Sequence, residues 1–291
     1  MGHTQVSIVA GRLYVVATPI GNLGDMSPRA VEVLRGVSVI AAEDTRHSAP
    51  LLRHFAIATP MVALHEHNER QQAEKLVARL HAGEAIALIS DAGTPLLSDP
   101  GYHLVRAAHL AGARVIPVPG ASALIAALSA SGLPTDRFSF EGFLPAKATA
   151  RRARLTDVQA DPRTLIFYEA PHRIVAALDD MAQIFGAGRE AVLARELTKL
   201  YETIRVAPLG ELAEWVRHDG DQQKGELVVL VRGAESRSSD ALNEESRRVL
   251  SLLLAALPLK QAVALAAEIT GEKRNRLYDQ AVKIKAVTSD E

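Results

Sequence analysis

Residues 85–101 read AIALISDAGTPLLSDPG, a short apolar run that ends in a loop of glycine, proline and small polar residues. Three more runs have the same β-branched, apolar character, and longer helical patterns separate them. They are LYVVA from Leu13, VSVIAA from Val37 and RVIPVP from Arg114. This alternation predicts a first α/β domain over residues 1–120, built on a largely parallel and buried sheet.

Local signals mark the ends of the intervening helices. Ser27 followed by Pro28 is typical of an N-cap and a first helical residue, because the hydroxyl accepts a free N–H and proline needs none. Gly83 and Gly112 stand where C-terminal caps are expected, since glycine adopts the left-handed conformation at little cost.

A second α/β domain is predicted over residues 121–233, where some strands follow one another without a helix. Its strand patterns are RFSFEGF from Arg137, TLIFYE from Thr164, EAVLARE from Glu190, ETIRV from Glu202 and GELVVLV from Gly225. The Glu190 and Glu202 runs are separated by only TKLY, which predicts a hairpin and therefore a mixed sheet.

The composition changes after Val231, where RGAESRSSD predicts a linker over residues 234–241. Residues 242–291 have helical spacing, with an interruption at Pro258 and a turn at Thr270 and Gly271. Two short helices joined by a glycine turn have the outline of a helix-turn-helix. A small helical cap on the main body fits the pattern equally well.

Composition excludes several classes of function. The 291 residues contain no cysteine, which excludes disulfides, a thiolate nucleophile and cysteine-ligated metal centres. No run of eighteen apolar residues occurs, and the first residues, MGHTQVSIVAGR, lack the features of a secretory signal, so we expect a cytoplasmic protein. The net charge of -1 does not by itself indicate a nucleic-acid binder, so local patches must carry that argument.

Three strand ends lead into loops that are richer in glycine, proline and small polar residues than a connection requires. The loops are ATPIGNLGDMS at 17–27, SDAGTPLLSDPG at 90–101 and VPGASA at 118–123. In an open α/β sheet such loops gather where ligands bind, so we expect all three to line one crevice. Glycine lets backbone approach a ligand closely, and the loops offer polar partners suited to a nucleoside: Asp91, Thr94, Ser98 and Ser122. For any one loop, the alternative is that glycine and proline only mark a turn.

Familiar nucleotide motifs are missing from these loops. Gly21 and Gly24 do not fit the G-x-G-x-x-G spacing, and there is no G-x-x-x-x-G-K-[ST] sequence. This disfavours NAD enzymes, ATPases and the ordinary Rossmann-type methyltransferases.

Nine segments in order closely resemble the ribosomal RNA small-subunit methyltransferase I family, a branch of the tetrapyrrole methylases. They are TPIGNLGDMSPRAVEVL at 18–34, AAEDTRHSAPLLRHF at 41–55, HEHNE at 65–69, ALISDAGTPLLSDPG at 87–101, GASALIAALSASGLP at 120–134, FEGFLP at 140–145, FYEAPHR at 167–173, ARELTKLYET at 194–203 and KGELVVLV at 224–231. The resemblance covers nearly all of the chain from Leu13 to Val231, and the terminal helices resemble that family's helix-turn-helix segment.

The resemblance implies the tetrapyrrole-methylase fold, an α/β architecture of two domains with a cleft between them that binds S-adenosyl-L-methionine. It further implies methylation of the 2′-oxygen of a cytidine in the decoding region of 16S ribosomal RNA, with that RNA or the small subunit as partner, and a homodimer. The cofactor contacts that it carries onto this chain are Pro19, Ala92, Gly93, Thr94, Leu97, Ser122, Ala123 and Glu169. Asp91 joins them as a polar neighbour in the second loop.

Ionisable residues follow several strands and are expected at the mouth of the cleft. They are Glu43, Asp44, Arg46, Glu169, His172, Arg173, Arg195, Glu196 and Lys199. Because methyl transfer to a hydroxyl profits from a base or a cation, we hypothesise that turnover needs at least one of Asp44, Arg46, Glu169 and Lys199. The alternative for each residue is a structural ion pair.

Two basic clusters are the predicted RNA contacts, because such groups neutralise phosphates. One is Lys147, Arg151, Arg152 and Arg154, and the other, at the start of the last helix, includes Arg274 and Arg276. Each could instead be a solvated helix face. His65 and His67 have no third ligand pattern nearby, so we expect no metal site.

Two other functions compete with RNA methylation. A methyltransferase for a tetrapyrrole or another small molecule explains the three loops but leaves the terminal helices and the Arg151 cluster unexplained. A non-enzymatic DNA-binding regulator explains the terminal helices but gives the three loops no purpose.

Overall fold

The computed structural model describes residues 8–235, residue 242 and residues 244–288. The chain divides into two compact units, Met1–Gly233 and Ala234–Glu291. Among the described helices, none is both long enough and apolar enough to cross a bilayer.

The first sheet has five parallel strands in the order β3-β2-β4-β1-β5. They are β1 (Arg12–Val16), β2 (Val39–Ala42), β3 (Met61–Ala63), β4 (Ile86–Ile89) and β5 (Arg114–Val118). Helices on both faces connect them: α1 (Pro28–Gly36), α2 (Thr45–His54), α3 (Glu69–His81) and α4 (Tyr102–Leu110). Neighbouring side chains of one strand enter different cores, as Leu13 and Tyr14 do. The predicted parallel, doubly buried sheet is therefore confirmed.

The cap signals in the sequence are also confirmed. The Ser27 hydroxyl accepts a hydrogen bond from the Ala30 N–H at 3.1 Å, directly before Pro28. Gly83 and Gly112 follow α3 and α4 with φ angles of +88° and +73°, in the region that favours glycine.

The second sheet is mixed, as predicted, in the order β6-β7-β10-β8-β9. Its strands are β6 (Phe138–Phe143), β7 (Thr164–Glu169), β8 (Glu190–Arg195), β9 (Thr203–Pro208) and β10 (Leu227–Val231). Only β6 and β7 pair in parallel, and β8 and β9 form the predicted hairpin. Its helices are α5 (Ala123–Ser131), α6 (Ala148–Val158), α7 (Ile174–Phe185) and α8 (Leu209–His218). Leu124 and Leu128 of α5 pack on one face of the sheet, while α6, α7 and α8 cover the other.

In the described part of the C-terminal unit, three helices surround a small apolar core. They are α9 (Glu244–Ala256), α10 (Leu259–Thr270) and α11 (Arg274–Thr288). Pro258 caps the start of α10, and Gly271 ends it in a left-handed conformation, so both sequence signals are confirmed. Leu250, Val263 and Leu277 meet in the core. Most of the predicted linker, residues 236–241, lies outside the described residues.

The structure corrects the prediction that Arg151 contacts RNA. Its side chain is only 6% exposed, and its Nε lies 2.7 Å from the carboxylate of Asp180 on α7. Arg152 contacts the other oxygen of Asp180, also at 2.7 Å, but this side chain is 54% exposed. A buried guanidinium that joins two helices has no access to a phosphate, so Arg151 is a structural residue.

The other predicted RNA contacts keep their solvent access to different degrees. Arg154 is half exposed and pairs with Glu141. Arg274 lies 3.9 Å from Glu268, and Arg276 lies 2.9 Å from Glu272. Lys147 is exposed at the start of α6, and no described residue forms an ion pair with it. Most arginines of the two predicted clusters therefore form ion pairs within the protein.

The Arg151–Asp180 pair gives a prediction about stability. Asp180→Ala should lower the free energy of unfolding by about 3–5 kcal/mol, because it leaves the buried Arg151 charge without a partner. Arg151→Ala should also destabilise strongly, whereas Arg152→Ala should cost no more than about 1 kcal/mol because that charge remains hydrated. Urea denaturation followed by circular dichroism measures all three. Equal, small effects of the two arginine substitutions would contradict the assignment.

Candidate functional site

The three glycine- and proline-rich loops meet at one edge of the first sheet. They follow β1, β4 and β5, which are adjacent strands running in the same direction. The carboxyl ends of these strands therefore bring the loops together, as the sequence predicts.

Hydrogen bonds between the loops fix their positions. The Thr18 N–H donates to the Gly93 carbonyl at 2.9 Å, and the Gly93 N–H returns a bond to the Thr18 carbonyl at 3.0 Å. The Thr94 hydroxyl donates to the Ala121 carbonyl at 3.0 Å, which joins the second loop to the third. The loops thus form one unit rather than three independent turns.

Gly93 is the residue that allows this close approach. Its φ angle of +79° lies in the region that disfavours side chains, and an added Cβ would stand 3.2 Å from Cγ2 of Ile20. The backbone of the second loop consequently lies directly against the first loop.

The loops and the second sheet enclose a cavity of about 460 Å³, within the range of small-molecule sites. Its walls come from all three loops and from the ends of β7 and β10 nearest to them. The lining residues are Ile20, Glu43, Asp91, Ala92, Gly93, Thr94, Leu97, Ser98, Asp99, Ser122, Ala123, Phe143, Tyr168, Glu169, Ala170, Pro171, Leu197, Gly225, Glu226, Leu227 and Val228.

Two buried polar atoms of the lining have no partner among the described residues. One is Oε2 of Glu169, a residue whose side chain is fully buried at the end of β7. The other oxygen of that carboxylate, Oε1, accepts the Ala170 N–H at 2.7 Å and lies 2.7 Å from the guanidinium of Arg173. The second unpartnered atom is the hydroxyl of Ser122. Buried polar groups without a partner are unfavourable, so both atoms suit a ligand in the cavity.

Acidic side chains give one side of the cavity a negative potential. Glu43, Asp91 and Asp99 all line it, and Asp91 Oδ1 accepts the Asp44 N–H at 3.2 Å. Burial raises the pKa of Asp99 to about 6, and the nearby Asp91 charge adds to this effect while a hydrogen bond with Ser90 opposes it. Burial and the charges of Asp99 and Asp91 likewise raise the pKa of Glu43. Such a cluster suits a cationic ligand.

The structure places Asp44 and Arg46 outside the cavity lining. The Asp44 carboxylate caps α2 by accepting the Arg46 N–H at 2.8 Å, and it forms an ion pair with the Arg46 guanidinium at 2.9 Å. These hydrogen bonds hold the pKa of Asp44 near 2. The Arg46 side chain is 90% exposed. Asp44 therefore caps α2 and forms with Arg46 an ion pair, the structural alternative for both residues.

Lys199 also lies beside the cavity rather than in its lining. Its Nζ contacts Glu196 and Glu226 at 2.8 Å each, and its aliphatic chain covers Gly21 of the first loop. Partial burial lowers the pKa of Lys199, but the two carboxylates outweigh this effect and raise it. Lys199 thus connects the first loop, through its aliphatic chain, with Glu226 just before β10, and Glu226 lines the cavity.

The remaining candidates divide between the lining and its surroundings. Pro19 lies next to the lining residue Ile20, and His65 and His67 lie after β3 outside the lining. Asp99, Phe143 and Tyr168 also line the cavity, but the sequence did not indicate a role for them. Asp99 belongs to the second loop. The aromatic residues lie in the segments FEGFLP and FYEAPHR, but no sequence pattern placed their rings at the cavity.

Two family models match the chain. The model described as Tetrapyrrole (Corrin/Porphyrin) Methylases matches residues 12–213, and the model described as RsmI C-terminal HTH domain matches residues 240–285. The first match runs from β1 into α8 and stops before β10, and the second runs from before α9 into α11.

Solved structures show the same fold at low identity. The methyltransferase CobJ has a TM-score of 0.58 and 20% identity, over 78% of this chain and 96% of that chain. Uroporphyrin-III C-methyltransferase from Thermus thermophilus, solved with S-adenosyl homocysteine, has a TM-score of 0.53 and 20% identity, over 77% of this chain and 97% of that chain.

Much higher identity is found with curated proteins named ribosomal RNA small subunit methyltransferase I. The Pseudomonas aeruginosa protein is 63% identical over 94% of this chain and 98% of its own length. The Escherichia coli O157:H7 protein is 55% identical over 97% of this chain and 98% of its own length. With the family-model matches, these identities confirm the resemblance drawn from the nine segments, and the chain belongs to the ribosomal RNA small subunit methyltransferase I family of the tetrapyrrole methylases.

Proposed function

We propose that this protein transfers a methyl group from S-adenosyl-L-methionine to the ribose 2′-hydroxyl of a cytidine in the decoding region of 16S ribosomal RNA. The observation that carries the proposal is the cavity, whose lining includes the carboxylates of Glu43, Asp91 and Asp99 and two residues with unpartnered buried oxygens, Ser122 and Glu169. A cationic nucleoside donor matches both features. The relatives named as ribosomal RNA methyltransferases supply the substrate class.

The donor site that we propose is formed by residues from each wall of the cavity. Ala92, Gly93, Thr94 and Leu97 of the second loop, with Asp91, provide backbone and polar contacts. Ser122, Ala123 and Glu169 complete the site, and the free Ser122 hydroxyl and Glu169 Oε2 would bond to the amine and hydroxyl groups of a nucleoside. Pro19 supports the loop from outside the lining.

S-adenosyl-L-methionine supplies a methyl group bound to a sulfonium, a cation that the carboxylates favour. The hydroxyl oxygen forms a bond to the methyl carbon while the carbon–sulfur bond breaks, which leaves S-adenosyl homocysteine and a proton to be removed. Holding the reacting atoms in line provides much of the rate. Asp99, with its pKa near 6, is suited to take up the proton at neutral pH, unlike the helix-capping Asp44.

We also propose that the protein is a cytoplasmic homodimer. Within each chain, the proposed domains are residues 1–120 and 121–233, and a proposed linker follows at 234–241. The family resemblance supports the dimer, and the separate cores of the two sheets support the domain boundary. Contacts with RNA from Lys147, Arg152, Arg154, Arg274 and Arg276 are part of the same proposal, with Arg151 removed.

The first test follows a labelled methyl group. Purified protein with tritiated S-adenosyl-L-methionine should label small ribosomal subunits from cells that lack this activity, and mass spectrometry of nuclease digests should identify 2′-O-methylcytidine. Uroporphyrinogen III and naked 16S RNA serve as competing substrates. Label in the tetrapyrrole, or in a base rather than a ribose, would contradict the proposal.

A second test uses the acidity of Asp99. The cationic donor binds better when the Asp99 carboxylate is ionised. Between pH 7.5 and 5, its affinity should therefore fall roughly tenfold more than the affinity of S-adenosyl homocysteine, whose sulfur is uncharged. Calorimetric titration of both compounds measures the difference. Asp99→Asn should weaken donor binding at pH 7.5 and flatten the pH dependence, with the remainder due to Glu43, whose pKa is also raised. Identical pH profiles for the two compounds would show that the carboxylates do not face the sulfonium.

A further inference from the structure

Strand β6 contains an irregularity that changes the direction of one aromatic side chain. Phe140 pairs with Ile166, but the next pairs are Gly142 with Phe167 and Phe143 with Tyr168, so Glu141 is an extra residue in the ladder. Gly142 has a φ angle of +67°, as expected where a bulge needs a left-handed residue.

The bulge reverses the alternation of side chains along β6. In a regular strand, Phe140 and Phe143 would point to opposite faces, because successive side chains alternate. With one residue inserted between them, both rings reach the face that carries Tyr168. The ring centroids of Phe140 and Phe143 lie 4.8 Å and 5.6 Å from that of Tyr168, each edge-on.

Phe143 is the exposed member of this aromatic group. Its residue surface is 53% exposed, and it lines the cavity, whereas Phe140 and Tyr168 are largely covered. The next residue, Leu144, is buried, and its carbonyl accepts a hydrogen bond from Arg173 at 3.2 Å. The backbone on both sides is therefore fixed, and it holds the ring at the rim of the cavity.

An exposed phenylalanine alone needs no explanation, because apolar side chains are common on protein surfaces. Here, however, a bulge, a left-handed glycine and an edge-on tyrosine together direct the ring to the cavity that we assign to methyl transfer. The ring also offers an uncharged surface in a cavity that the carboxylates Glu43, Asp99 and Glu226 line as well, and these charges disfavour a phosphate there. A flat, uncharged and apolar group is its natural ligand.

We propose that the face of Phe143 stacks on the nucleobase of the nucleotide whose ribose is methylated. This inference rests on the proposed function, since it supplies the base-binding part of the same site. A ribose hydroxyl enters the cavity more readily when its nucleotide leaves the surrounding stack, and proteins commonly hold such a splayed base against an aromatic ring. The stacked base would position the sugar at the cavity.

Kinetics on small subunits from cells lacking the activity test the proposal. Phe143→Ala and Phe143→Leu should lower kcat/KM for the subunits roughly fivefold to 150-fold, the equivalent of about 1–3 kcal/mol per stacked base. Phe143→Tyr should retain most activity because it keeps the ring. Leucine keeps an apolar contact with Tyr168. If both the Ala and the Leu variant have a lower kcat/KM and an unchanged melting temperature, the loss of the ring face is the cause.

Phe138→Ala is the matched control, because Phe138 is a partly exposed phenylalanine at the other end of β6 and does not line the cavity. It should leave kcat/KM unchanged. Calorimetry with S-adenosyl homocysteine should give the same affinity for wild type and all variants. An RNA fragment of the decoding region with an abasic nucleotide at the methylated position should bind the wild type and Phe143→Ala equally.

Each contrary outcome has a separate meaning. Normal kcat/KM in Phe143→Ala and Phe143→Leu would overturn the stacking role and leave the methyltransferase function intact. Weakened S-adenosyl homocysteine binding with unchanged RNA binding would assign the ring to the donor's adenine and also overturn it. If the wild type itself labels no ribosomal RNA, the proposed function fails, and the base-stacking role falls with it.

Discussion

Two backbone hydrogen bonds between Thr18 and Gly93 hold the first loop against the second, and the cavity depends on this contact. The loops leave β1 and β4, neighbouring parallel strands of the first sheet, and the antiparallel bridge between Thr18 and Gly93 joins them beyond the strand ends. Thr94 extends the connection to the third loop through the Ala121 carbonyl. Because these hydrogen bonds lie within the protein, the three loops are held together without a ligand.

The ionised groups near the cavity differ in their partners and in whether they line the cavity. The positively charged groups Arg173 and Lys199 are held by carboxylates, and Arg46 is held at a helix end. The carboxylates of Asp91 and Asp99 face the cavity, where burial makes ionisation of Asp99 unfavourable. A cationic ligand would relieve this cost, and an anionic one would increase it.

Much of the fold could be predicted from sequence because local signals agree with the final packing. Apolar runs that alternate with helical patterns gave the parallel sheet, and the short spacing between the Glu190 and Glu202 strands indicated the hairpin. Loop composition and strand order together predicted that the three loops meet. These features depend on neighbours along the chain or on general rules of topology.

Side-chain roles were harder to predict because they depend on partners distant in sequence. By composition, Arg151 belongs to a basic cluster. Its side chain is nevertheless buried, because it forms an ion pair with Asp180 on the next helix. Lys199 forms an ion pair with Glu226, a residue 27 positions further along the chain and just before β10. The direction of Phe143 depends on a bulge that becomes visible only in the pairing of β6 with β7.

A crystal structure of the protein with S-adenosyl homocysteine tests the central claim most directly, because it locates the nucleoside relative to the three loops. We expect one molecule per chain in the cavity, with the Ser122 hydroxyl and Glu169 Oε2 at hydrogen-bond distance from it and the Thr18–Gly93 bridge intact. A ligand bound elsewhere, or one that leaves both atoms without a partner, would contradict the assignment of the cavity as the donor site.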